Sequence, residues 1–237
     1  WYSPQVVKRN IFPNVLNDIR LYYIEYFDYF MNQKNSLGLN FCFKDLDDPL
    51  ELFKIWMSEA EKKEINDPNA LSLATTNKNN EPRVRMVLLK EASQKGFVFY
   101  TNLDSPKSED IKNNPKAEMC FYWKSLLRQV RVFGNITKVT DQEADTYFKS
   151  RPYESGIACW ASNQSKVMNT REEFLKKIDE FKKKYKDKNN LPRPKNWSGW
   201  RLNPSSIEFW LGHEFRIHER LKYNKVLNSW KKEILYP

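Results

Sequence analysis

The chain has 237 residues, 40% of them hydrophobic and 15% aromatic, enough for a sizeable core and outside the disordered and disulfide-stapled classes. Its three cysteines, Cys42, Cys120 and Cys159, are widely spaced without a Cys-x-x-Cys, which argues against a zinc pattern and suits a reducing, cytoplasmic compartment. A net charge of +10 points to an anionic partner, whether nucleic acid, a membrane surface or a phosphorylated small molecule, and no apolar run approaches a membrane span.

Residues 17–33 mix charge with Ile19, Tyr22, Tyr23, Tyr26, Phe27 and Phe30, predicting a helix in an N-terminal extension over 1–47. Asp48-Pro49 opens a second helix, with Leu52, Ile55, Trp56 and Ala60 in helical period up to the Asp67-Pro68 break. Strands are predicted at Ala70–Thr75, Arg83–Leu89, Gly96–Thr101, Ala117–Trp123 and Arg128–Val139. Ser105–Asn114 reads as a short helix, and Thr140-Asp141-Gln142-Glu143 is a capping box opening another that reaches Ser150. Thr170 to Glu173 repeats that pattern ahead of an apolar stripe of Phe174, Ile178, Phe181 and Tyr185, whose lysine-rich face reads as solvated. Gly199–Leu202, Ile207–Leu211 and Phe215–Tyr223 close the chain as strands, so a meander of short antiparallel strands forms a barrel or sandwich over 48–237.

Six glycines and no Gly-x-Gly-x-x-Gly or P-loop leave phosphate to be held by side chains. Two histidines without a Cys/His cluster do not support a transition-metal site. The aromatic residues follow apolar patterns and display no stacking platform, which disfavours nucleic acid.

Five stretches carry polar groups that a core does not ask for. In Arg83–Lys90, alternation puts Arg85 and Lys90 on opposite faces, so a shared site needs a bulge or twist before Lys90. In Tyr100–Lys107 a strand runs into a helix start, either a phosphate-receiving end with Lys107 or an ordinary Ser-capped helix. In Arg128–Gly134, Gln129 shares the face of Arg131 and Phe133. Tyr147, Arg151 and Ser155 offer phenol, guanidinium and hydroxyl at spacings of four, enough for a dianion if the helical turn continues, and Gln164-Ser165 follows. Residues 213–223, read as a strand, put Arg216, His218 and Arg220 on one face and Phe215, Ile217 and Leu221 on a packed one. That charged face must meet solvent, carboxylates or a phosphorylated ligand.

In this order and spacing, these stretches resemble the pyridoxine/pyridoxamine 5′-phosphate oxidase family. The most specific pieces are Arg85–Lys90, Phe99–Asn102, Arg128–Val132, Ser150-Arg151-Pro152, Trp160–Ser162 with Gln164-Ser165, and Ile207–Trp210 leading into Arg216–Arg220. The resemblance implies an α+β, mainly β fold: an FMN-binding split barrel of antiparallel Greek-key type with peripheral helices, and a C-terminal dimerisation region within 48–237. It implies a homodimer with FMN at the subunit interface, and neither nucleic acid nor membrane as partner. One subunit would hold FMN through Arg85, the segment Met86, Val87, Leu88 and Leu89, and Lys90, Tyr100, Thr101, Lys107 and Gln129. The other would complete the pocket with Gln164, Ser165, Trp210 and Arg220. Substrate phosphate would meet Lys90, Tyr147, Arg151 and Ser155, while Arg216 and His218 would cover the pyridine ring as catalytic residues.

The implied reaction is oxidation of pyridoxamine or pyridoxine 5′-phosphate to pyridoxal 5′-phosphate, with O₂ reoxidising the flavin to give H₂O₂. A non-catalytic split barrel that binds FMN or a vitamer phosphate is the alternative. Departures include Pro106 where the pattern has an arginine, Ser198 for Gly, Leu211 for Gln, Ala158-Cys159 for Gly-Ala, and an N-terminal element matching only at Arg20 and Tyr23.

Overall fold

A computed structural model describes residues 33–237, so the predicted helix over 17–33 lies almost wholly outside the described residues. Residues 46–237 form one compact unit, distinct from the unit ending at Asp45. The first helix of this larger unit, α1 (Pro49–Lys63), starts where Asp48 accepts the Leu50 N–H and Pro49 fills the first helical position. Its apolar stripe sinks into the sheet. Phe53 meets Phe97 and Phe121 edge-on at 4.9 and 5.1 Å, and Trp56 meets Phe209 at 5.2 Å.

Nine strands follow: β1 (Ala70–Thr76), β2 (Pro82–Leu88), β3 (Glu91–Ser93), β4 (Gly96–Asn102), β5 (Lys116–Trp123), β6 (Arg128–Lys138), β7 (Trp197–Leu211), β8 (Glu219–Val226) and β9 (Ser229–Leu235). They form one sheet in the order β2-β1-β5-β6-β7-β4-β3, with β8 and β9 branching from β7, and every pairing is antiparallel. The branch explains the length of β7. Trp197–Leu202 pairs with β4, Ser206–Leu211 pairs with β8, and β6 runs along both halves.

The predicted pair of strands Gly199–Leu202 and Ile207–Leu211 is therefore one element, bent where the register shifts between Phe133 and Gly134. Glycine is required at the bend, since a Cβ on Gly134 would lie 2.0 Å from the Asn203 carbonyl oxygen. The barrel closes at Leu89-Lys90: the Leu89 N–H still donates to Asn69 on the β1 side at 2.8 Å, and the Lys90 N–H donates to Val98 of β4 at 2.8 Å.

Helices α2 (Pro106–Asn113), α3 (Asp141–Lys149), α4 (Tyr153–Ala161) and α5 (Arg171–Lys184) sit on this frame. The capping box at Thr140 and Glu143 forms as expected, with both reciprocal bonds present. No helix among the described residues is long and apolar enough to cross a membrane.

The reading of 213–223 as a strand needs correction. Glu214–Arg216 is a single 3₁₀ turn, Phe215 and Arg216 have φ of 54° and 62°, and β8 begins only at Glu219. Phe215 and Ile217 are consequently exposed, and only Leu221 of the expected packed face is buried. Hairpin strand β9 and the three-residue β3 were not anticipated: β3 is brief and polar, the middle of β9 is charged, and each owes its strand geometry to a partner. Gly134→Ala is expected to destabilise the fold by about 1–3 kcal/mol through overpacking, measured as a lowered urea midpoint at unchanged m-value.

Candidate active site

A cavity of about 480 Å³ lies between β2 and β4 beside Lys90, lined on its far side by α3, α4 and the start of β7. β2 contributes Met86, Val87 and Leu88, β4 contributes Tyr100 and Thr101, and Lys90 projects from the closing dipeptide. The strand does break before Lys90, but Arg85 does not share the cavity with it. From α2 comes Lys107; Tyr147, Arg151 and Ser155 come from α3, the link and α4; Gln164 comes from the following loop. The helical turn does not continue from Tyr147 to Ser155, because Pro152 starts a new helix, yet all three reach the same cavity.

One wall is aromatic. Tyr100 and Tyr147 stack at 4.0 Å, Trp197 lies parallel to Tyr100 at 5.3 Å, and the Arg151 guanidinium covers Trp197 at 4.9 Å. Gly199, opposite Tyr100 on β7, leaves room for that flat ring, since a Cβ there would come within 2.8 Å of it.

At the other end the Lys107 ammonium has only neutral oxygens around it: Thr101 Oγ1, Ser105 Oγ and Gln164 Oε1, each at 3.1 Å. Burial, with Arg85 nearby, pulls its pKa down to about 8. Ser105 makes no side-chain cap on α2, so its hydroxyl serves Lys107 and the Asn102 carbonyl instead. Arg85 does not line the cavity. It donates to Thr75 Oγ1 at 2.6 Å and to the Leu73 carbonyl at 3.1 Å, and lies 3.7 Å from Asp110, a buried carboxylate that also holds Arg83. Among the described residues, Lys90, Lys107 and Arg151 have no carboxylate partner. Three unmatched cations around one cavity make an anion site.

The remaining expected residues form a second group elsewhere. Gln129, Trp210 and Arg220 stand in one cross-strand row on β6, β7 and β8. Arg220 is bound to Glu208 and to the Tyr236 carbonyl. His218 packs its ring against Trp210 at 4.7 Å, its Nδ1 accepting the His213 N–H, and Arg216 is exposed beside it. Ser165, with φ of 66°, and Leu89, which is buried, do not line the cavity. Trp197 and Cys159, which bonds Arg151, escaped the sequence reading; Trp197 stood next to the Ser198 departure, but nothing in its own pattern separated it from core.

An antiparallel barrel with a cation-lined cavity of this size at its side belongs to the split-barrel class. Residues 57–185 match the family model described as pyridoxamine 5′-phosphate oxidase, and residues 197–237 match the pyridoxine 5′-phosphate oxidase C-terminal dimerisation region. The chain belongs to the pyridoxine/pyridoxamine 5′-phosphate oxidase family.

A curated member from Pelagibacter ubique is 62% identical over 208 residues, 87% of this chain and 100% of the relative. One from Bartonella henselae is 49% identical over 206 residues, 86% of this chain and 99% of the relative. Among solved structures, PhzG from Burkholderia lata superposes with a TM-score of 0.78 at 26% identity, covering 86% of this chain and 100% of that one. An FMN-binding protein from Nostoc punctiforme, at TM-score 0.64 and 16% identity over 80% of this chain and 98% of that one, shares the fold.

Because an anion favours the ammonium form of Lys107, affinity should be lost as pH rises through about 8. Sulfate, whose charge is constant there, is expected to bind up to about tenfold more weakly per pH unit above that point. Titration by intrinsic fluorescence checks this, and Lys107→Met should remove the dependence.

Proposed function

We propose that this chain, as a homodimer, oxidises pyridoxamine and pyridoxine 5′-phosphates to pyridoxal 5′-phosphate at a cavity completed by the second subunit. The observation that carries this reading is the set of three cations without carboxylate partners, Lys90, Lys107 and Arg151, around one 480 Å³ cavity, a cluster suited to phosphate groups on a cofactor and a substrate. The cofactor is FMN, as family membership indicates, and the Lys107 end fits its phosphate because the ammonium there has neutral partners only. With Pro106 beside it, Lys107 carries that charge without an arginine at position 106.

When bound, FMN would supply the hydride acceptor, with O₂ restoring the oxidised flavin and being reduced to H₂O₂; with the amine substrate, water would then displace ammonia. The chain's own work is positioning and electrostatics. Lys90, Tyr147, Arg151 and Ser155 hold the substrate phosphate. Arg216 from the second subunit covers the pyridine ring and favours negative charge on its phenolic oxygen, while His218 orients the ring. The left-handed backbone at Phe215 and Arg216 supports a functional role, since it costs a non-glycine residue roughly 1 kcal/mol or more at each position. PhzG is described in complex with tetrahydrophenazine-1-carboxylic acid, but its identity is 26% against 62% for the Pelagibacter oxidase.

The second subunit is supported by the outer face of the sheet. Val84, Met86, Tyr122 and Phe133 are exposed there, adjoining the row of Gln129, Trp210 and Arg220. The matched dimerisation region contains Trp210, Arg216, His218 and Arg220.

Two experiments test the proposal. Arg216→Met should lower formation of pyridoxal 5′-phosphate and H₂O₂ from pyridoxamine 5′-phosphate by more than about tenfold while FMN stays bound, as expected for a contact made in the transition state; near-parental turnover would refute the assignment. Hybrid dimers of Lys107→Met and Arg216→Met chains carry one intact composite site each, so a random mixture should recover about a quarter of parental activity. Sites built within single subunits would recover none.

A further inference from the structure

Arg151 stands at a partition. It lines the 480 Å³ cavity and also a second one of about 380 Å³ behind it, bounded by α4 and Phe174 of α5. Its guanidinium lies over Trp197 at 4.9 Å, with Phe148 at 5.9 Å. A ring face fixes the plane of a guanidinium but leaves it free to turn within that plane. The one directional bond at this group is to sulfur: Arg151 Nη1 donates to Cys159 Sγ at 2.9 Å, across the short link from α3 to α4. Among the described residues no carboxylate competes for it.

We propose that Cys159 is a positioning residue for the oxidase reaction: its sulfur holds Nη1 on the rear side, so that the rest of the guanidinium fork addresses the front cavity, where the substrate phosphate binds. This rests on the placement of that phosphate at Arg151. Without the sulfur, Arg151 would share its orientations between the two cavities, and the fraction facing substrate would fall. The chemical step itself, remote from the phosphate, would be untouched. Cys159 thus acts on substrate capture and leaves turnover alone.

The test is steady-state kinetics of FMN-loaded protein with pyridoxamine 5′-phosphate. Cys159→Ala is expected to raise KM about three- to tenfold, the weight of one weak hydrogen bond to sulfur, with kcat within about twofold. Cys159→Ser keeps an acceptor and should restore most of the loss. Arg151→Met serves as reference and should raise KM further. If it does not, the placement of the substrate phosphate is wrong. If Arg151→Met raises KM while Cys159→Ala leaves it unchanged, the placement stands and the positioning role falls. Equal impairment of the Ala and Ser variants would show that the effect is packing, and would also overturn the role.

Discussion

Two consecutive backbone N–H groups decide the shape of this protein. Leu89 N–H goes to Asn69 beside β1 and Lys90 N–H goes to Val98 of β4, so the chain changes partner between adjacent residues. That exchange follows the end of β2 and passes the chain on to β4, with the cavity lying between the two strands. Lys90 is delivered into the cavity by the same bond, and the residues facing it come from α2, α3, α4 and the loops beside them. A buried N–H without a partner would cost about 1–3 kcal/mol, so closure and site are stabilised together.

The electrostatics separate structural cations from binding ones. Arg83 and Arg85 share the buried Asp110, Arg128 meets Glu59, Arg131 meets Glu118 and Glu208, and Arg193 and Arg201 hold the carboxylates of α3. Those pairs orient the frame. The cations around the cavity have neutral oxygens, sulfur or aromatic faces as neighbours instead. An excess of ten positive charges says only that an anion is wanted; the pattern of pairing says where.

Most of the barrel was legible because its strands obey a period of two with buried partners on the inner face: Leu71 and Leu73, Met119 and Phe121, Val130 and Val132. The cavity residues Lys107, Arg151 and Ser155 were legible as polar groups where a core asks for none, and the family resemblance joined them into one site. Residues 213–218 were misread because alternating charge imitates a strand. What decides their conformation is the absence of a pairing partner before Glu219, a tertiary fact. The continuity of β7 through Pro204 was hidden in the same way, since proline argues locally for a break and only the bend at Gly134 shows how the strand tolerates it.

The separation of the two groups of functional residues is itself a constraint on the active unit. Trp197 lines the cavity and Trp210 stands in the row with Gln129 and Arg220, yet both belong to β7. Thirteen residues of strand span roughly 40 Å if straight. A strand hydrogen-bonded along most of both edges cannot shorten to bring them together. Either the Trp210 row takes no part in the chemistry, or it serves a cavity in another copy of the chain. The exposed apolar side chains beside that row, on a sheet face where water would otherwise meet Val84, Met86 and Phe133, favour the second alternative. Under the proposed composite site, the rigidity of β7 would fix the distance at which a two-fold partner supplies the second group, so that dimer geometry and catalytic geometry would be one requirement.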